Sequence, residues 1–269
     1  MTFASTTHFK GFDEDYLTRS LLACAFISAA VFLALLGPLL VEDRALDGHN
    51  VWVKPQKFAI SLFVHFMTVA IAAQLLSLTV RIKKIMVVSA ALTMMAHVFE
   101  GVWVIYQAGR SKRSHFNQDT VFEQIMYAGM GIAVLFLVWI AFIVGWKIWR
   151  TVDNKSGLAW GFAVGLMGGT LVTLALAGYM SMSGWRQVGI HPVGGAEVPF
   201  FGWSRVVGDY RPAHFVALHM MQTMPVIGWV SDRMNWNGKR IVWVAAVLQT
   251  ILAVALFAQA AQGQPFWPA

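Results

Sequence analysis

The chain has 269 residues, of which 58% are hydrophobic and 12% charged, against about 25% charged in an ordinary soluble domain. Too few charges are present to cover a soluble surface, which excludes a water-soluble globular enzyme of this length. The formal charge of +7 and the pI near 9.8 fit basic residues at span ends facing anionic head groups, and do not argue for nucleic acid.

Seven apolar runs are long enough to span a bilayer: residues 20–41, 55–76, 85–107, 122–146, 158–180, 214–230 and 241–261. The expectation is an all-α integral membrane protein, a single polytopic domain of seven transmembrane helices. Roughly half the chain lies in these runs at about 20 residues each, leaving no room for a separate soluble domain. The first run is read as a retained span, because Gly37-Pro38 and Glu42-Asp43-Arg44 follow it instead of a small-x-small cleavage pattern. Its Cys24 is the only cysteine, which rules out an intramolecular disulfide and covalent haem attachment through CxxCH.

In the second run, Lys57, Ser61, His65 and Thr68 fall within about 80° of one another on a helix. In the third, Glu100 and Gln107 share a face, with His97 one turn deeper. After the fourth and fifth runs comes the longest connection, residues 181–213, an outer lid-like loop carrying His191, Trp203 and Arg211. The sixth run is the shortest and least apolar, and places Gln222 between His214 and His219. Lys57, Gln107 and His214 fall near one boundary. Glu100 and His219 lie one to two turns in, and His65 and His97 lie about 15 Å deep. Three helices thus offer polar groups at matching depths, and the cost of an unpaired charge in lipid predicts an ion pair or hydrogen-bond bridge between Lys57 and Glu100.

The connections alternate in charge. Arg81-Ile82-Lys83-Lys84, residues 147–155 and residues 232–240 are short and basic. The positive-inside rule then predicts a cytoplasmic N-terminus, an outside C-terminus and location in the plasma (inner) membrane.

Three chemistries suit these residues. A divalent metal, zinc or iron, bound by His115, His214 and His219 with Glu100 as fourth ligand or general base, would support hydrolysis or oxidation. His214 and His219 are five apart, so this arrangement needs His214 in a non-helical turn after Pro212. A b-type haem between His65 and His97 would make an electron carrier. A transporter or receptor would use Lys57, Glu100 and His219 as a charged site, with Lys57 or Arg211 pairing a substrate carboxylate. The leading expectation is an enzyme-like pocket with Glu100, Lys57, His219 and Gln222 at its centre, doing metal-dependent or redox chemistry. Its partners would be the lipid bilayer and a small apolar or amphipathic substrate. No GxxxxGK[ST], HExxH, GxSxG or usable GxGxxG motif offers another route.

Overall fold

The computed structural model describes residues 11–269. Its elements in chain order are α1 (Tyr16–Ala34), α2 (Leu36–Val41), β1 (Ala45–Leu46), β2 (His49–Asn50), α3 (Val53–Ala73), α4 (Leu78–Arg81), α5 (Lys84–Gly109), α6 (Val121–Thr151), α7 (Gly157–Ser183), β3 (Gln187–Val188), β4 (Gly208–Asp209), α8 (Arg211–Leu218), α9 (Met220–Arg233) and α10 (Gly238–Ala261). The strands form two antiparallel pairs, β1 with β2 and β3 with β4. All four lie at one end of the bundle, called here the loop end. Among the described residues six segments are long and apolar enough to cross a membrane: Tyr16–Val41, α3, α5, α6, α7 and α10. This makes the chain a helical membrane protein.

Sequence punctuation sets the helix ends. Asp15 caps α1 by accepting from Thr18 N at 3.1 Å. The α1–α2 break falls at Leu35, next to the Ala34 carbonyl that Pro38, having no N–H, cannot engage. Thr120 caps α6, its Oγ1 accepting from Glu123 N at 3.2 Å and donating to the Glu123 carboxylate at 2.8 Å. Asp232 reaches across from the end of α9 to accept from Gly157 N at 2.6 Å and Leu158 N at 2.8 Å, neutralising two orphan donors of α7 with a carboxylate placed at the positive end of its dipole.

The sixth apolar run is not one unbroken helix. It comprises α8 and α9, joined at His219 by a tightened Gln222 N to His219 O bond of 3.0 Å. Since α8 begins at Arg211, His214 is helical, and the non-helical turn expected after Pro212 does not form. The pair lies against α7, where Gly157, Gly161, Gly165 and Gly169 recur every four residues. A Cβ on Gly165 would sit 2.5 Å from Met220 O, and one on Gly161 2.6 Å from Pro225 Cα. Only glycine permits that approach of two backbones, the small-residue packing of membrane helices.

Backbone acceptors near the middle of α6 tie the bundle together. Phe136 O accepts from Thr93 Oγ1 of α5 at 3.0 Å and Leu137 O from His65 Nε2 of α3 at 2.9 Å, while Thr170 Oγ1 of α7, bonded to Leu166 O at 2.7 Å, shares its hydrogen with Val138 O at 3.3 Å. Gln222 Nε2 donates to Thr68 Oγ1 at 3.1 Å, joining α9 to α3. Thr223 Oγ1 donates to Gln249 Oε1 at 2.7 Å, joining α9 to α10. At the end opposite the loops, buried Arg81 pairs with buried Asp15 at 2.7 Å and also with Asp13.

Candidate functional site

The polar side chains of the sequence pattern separate into three groups. Deepest is the α6 rung just described. His65 donates to Leu137 O, so its Nε2 carries the proton and is committed to a carbonyl. His97 Nε2 lies 2.8 Å from Ser28 Oγ of α1, which itself donates to Cys24 O at 2.8 Å. The phenyl ring of Phe66 stands between the histidines, with centroids 5.3 Å from His65 and 5.0 Å from His97. These two residues therefore do not form the expected haem site: both Nε2 atoms have protein partners, and a packed ring fills the intervening space.

A second group gathers where α8 meets the 184–210 loop. Lys57 Nζ donates to Phe201 O at 3.2 Å and lies 5.8 Å from the Phe200 ring centroid. Arg211 holds buried Asp209 at 2.5 Å and donates to Gly202 O at 2.6 Å. His219 Nδ1 donates to Phe215 O at 2.8 Å, and its ring packs on Phe215 with centroids 3.8 Å apart. The expected Lys57–Glu100 ion pair is absent, because the Lys57 amine caps a loop carbonyl. Glu197 links two neighbouring loops through His49 at 2.8 Å and His191 at 3.7 Å. His191 Nδ1 also lies 2.9 Å from Ser204 Oγ, so it is a clip within the loops and not a free turn histidine.

The third group lies at the loop ends of α3 and α5 and contains Glu100 and His115 together with Lys54, a residue the sequence pattern leaves outside the second run. Lys54 Nζ is 3.2 Å from His115 Nδ1. Protein surrounds the lysine, yet its side chain remains accessible. Glu100 is 2% exposed, its Oε2 has no hydrogen-bond partner, and the charge acting on it is Lys54. Around the lysine stand Asp47, Arg113 and Arg186. Arg113 grips Asp47 with two bonds of 2.7 and 2.9 Å, and Arg186 approaches it at 3.7 Å. The bond from Arg113 holds the Asp47 carboxyl below its ordinary range. Among the described residues Lys54 has no carboxylate within ion-pair distance.

No family model, curated protein or solved structure matches this chain. What the site does must be read from its own chemistry.

His115 is flanked by Phe58 and Tyr127, with ring centroids 5.4 and 6.3 Å away. Burial first, and the charge of Lys54 second, push its imidazole well below the ordinary histidine range. It is therefore neutral at pH 7. Its Nδ1 accepts from Lys54, which leaves the proton on Nε2. Beyond Tyr127, whose hydroxyl is 3.2 Å from Ser181 Oγ, lies an open cleft of about 440 Å³ lined by Gln118, Gln124 and Ala128 among others. Two phenylalanines beside these groups hold left-handed backbone, Phe116 at φ 56° and Phe200 at φ 66°. Such strain costs about 1–3 kcal/mol per residue and concentrates at functional sites.

The expected metal ligands are not brought together. His115 lies with Lys54, while His214 and His219 belong to α8 and its junction with α9. Among the described residues no group of three His, Cys, Asp or Glu side chains is placed to hold a metal ion. Gln222 joins helices through Thr68 and has no place in the Lys54 group. Of the four residues expected at the centre of the pocket, only Glu100 belongs to that group.

Proposed function

We propose that the protein is a seven-span bundle of the plasma (inner) membrane that binds a small amphipathic carboxylate at its loop end and acts as a carrier or receptor for it. The observation that carries this reading is Lys54: an accessible amine 3.2 Å from a neutral imidazole, with Arg113 and Arg186 beside it. A substrate carboxylate would accept from the free Lys54 N–H groups and from His115 Nε2–H, two converging donors for two oxygens. In this reading α8–α9 is the seventh crossing, since Arg211 to Arg233 extends about 34 Å at helical rise. The loop end faces outward and the N-terminus lies in the cytoplasm, as the basic connections at Arg81–Lys84 and residues 147–155 favour.

A second reading rests on Glu100 Oε2, a buried carboxyl oxygen without a partner in the field of Lys54. Such a group suits a general acid or base. Titration of purified protein with butyrate tests both readings. Heat on binding that disappears in Lys54→Ala, with butyrate recovered unchanged, supports binding and transport. A chemically altered ligand, and loss of that alteration in Glu100→Gln, would replace it with an enzyme. A reporter tag in the 82–84 connection that reads as periplasmic would overturn the orientation.

A further inference from the structure

The Lys54 group leaves one neighbouring feature unused. Between α1, α3 and α5 runs an apolar groove of about 140 Å³, walled by Val31, Phe58, Leu62 and Val102 among others. Two walls open where exposed hydrophobics meet lipid: Ile27 is 47% exposed and Val102 62%. Phe58 follows Lys54 by four residues on α3, so the lysine stands one turn above the groove and on the same helix face. Pro55, the next residue, lines the groove itself. His115 packs against Phe58 from the loop side. The cation and the groove are therefore consecutive along one surface, polar at the loop end and apolar below.

The far end of the groove is closed by a polar pair that packing alone does not call for. His97 and Ser28 both line it. Ser28 donates its hydroxyl hydrogen to Cys24 O, so it accepts from His97 Nε2–H, the arrangement that satisfies the most groups. His97 Nδ1 is then a bare acceptor, buried and without a partner, on a side chain that is 5% exposed. On α5, a Cβ at Gly101 would meet nothing within 4 Å, so the wall is open there because a side chain is missing.

We infer that this groove seats the hydrocarbon tail of a single-chain carboxylic acid that enters from the bilayer, with its carboxylate at Lys54 and His115. The inference rests on the binding role proposed above and names its ligand. Size selects the class. A hollow of 140 Å³ is smaller than the roughly 300–1,000 Å³ of pockets that enclose a whole ligand. It is close to the roughly 150 Å³ apolar cavity that holds one benzene-sized group. One chain fits with the remainder in lipid, and two chains side by side do not. From Lys54 to Leu62 the groove descends about 12 Å, so a short acid reaches only the cation and a long one also fills the groove.

The test uses the full chain in lipid nanodiscs with a palmitate analogue carrying a photoactivatable diazirine in its tail, with mapping of the labelled peptides. Labelling is expected on the segments 55–62 and 98–105, displaced by palmitate and not by hexadecanol, which lacks the carboxylate. Gly101→Phe fills open space and should cut the displaceable labelling about tenfold or more, the effect of losing a few buried methylenes, with butyrate binding unchanged. Lys54→Ala should abolish both. Leu62→Trp fills the groove from the opposite wall and serves if Gly101→Phe does not fold. Labelling spread evenly over all lipid-facing helices and indifferent to palmitate would overturn the inference. Full palmitate binding in both groove variants, with butyrate lost in Lys54→Ala, would reject the groove and keep the cationic site. Displaceable groove labelling that survives Lys54→Ala would instead reject the role given to Lys54.

Discussion

Replacing Gly161 by alanine adds one methyl group where α7 crosses α9. That carbon would lie 2.6 Å from Pro225 Cα and 2.7 Å from Met224 C, whereas carbon atoms rest about 3.5–4.0 Å apart. Both obstacles are backbone, so no rotamer change relieves the contact. The helices must separate by about 1 Å. A gap of that size forfeits a quarter to a half of each dispersion contact along the seam, and overpacking costs about 1–3 kcal/mol. With rigid atoms on both sides we expect about 2–3 kcal/mol. At about 2–4 °C per kcal/mol for a chain of this size, the melting temperature falls by roughly 4–12 °C. Gly178 on the same helix is the control, because its added Cβ would meet nothing within 4 Å. Gly178→Ala should raise stability by up to about 1 kcal/mol through helix propensity alone. Thermal unfolding of the purified protein in detergent, followed by tryptophan fluorescence, measures both. A Gly161→Ala variant that melts like the wild type, or two alanine variants with the same sign, would refute the close α7–α9 contact.

Asp232→Ala strips two backbone N–H groups at the start of α7 of their acceptor and should cost about 1–2 kcal/mol in the same assay, with Asp232→Asn retaining part of it. Asp15→Asn leaves Arg81 buried with only Asp13 to balance it. A loss of about 3 kcal/mol is expected, partly recovered when Arg81→Met is added, since the unpaired charge causes the damage. His115 takes up a proton in the unfolded chain near pH 6.5 but only at a much lower pH in the fold. Its contribution to stability is thus complete above about pH 6.5 and lost as pH falls below that. Melting curves between about pH 7.5 and pH 5.5 should slope less in His115→Gln than in the wild type, and equal slopes would show that His115 is not held neutral.

Hydropathy made most of the helices legible. The run expected at residues 85–107 is α5, Lys84–Gly109, and the run at 122–146 is α6, Val121–Thr151, because long apolar runs have few other structures open to them in a bilayer. Polar spacing showed which helices carry polar groups but misassigned the partners. The Lys57–Glu100 pair failed because Lys54, one turn nearer the boundary, reaches the region of Glu100 and His115, while a loop carbonyl claims Lys57. Loop geometry of that kind leaves no periodic signal. The acceptors for His65, Thr93 and Thr170 are backbone carbonyls, which every residue possesses and no sequence pattern marks. The glycines at 157, 161, 165 and 169 recur every four residues, but the interval alone names no partner, and only the structure shows α9 lying against them.

That contact bears on how the protein is made. The α8–α9 segment carries His214, His219, Gln222, Thr223 and Asp232, too many polar groups to partition into lipid by itself as it leaves the ribosome. Its acceptable environment is the glycine face of α7 on one side and Gln249 of α10 on the other. If α8–α9 is the seventh crossing, as proposed above, its insertion is a joint event, with α7 waiting at the membrane until α9, and then α10, arrive to cover one another. A chain truncated after α9 should be a substrate for membrane quality control and not a stable shorter bundle.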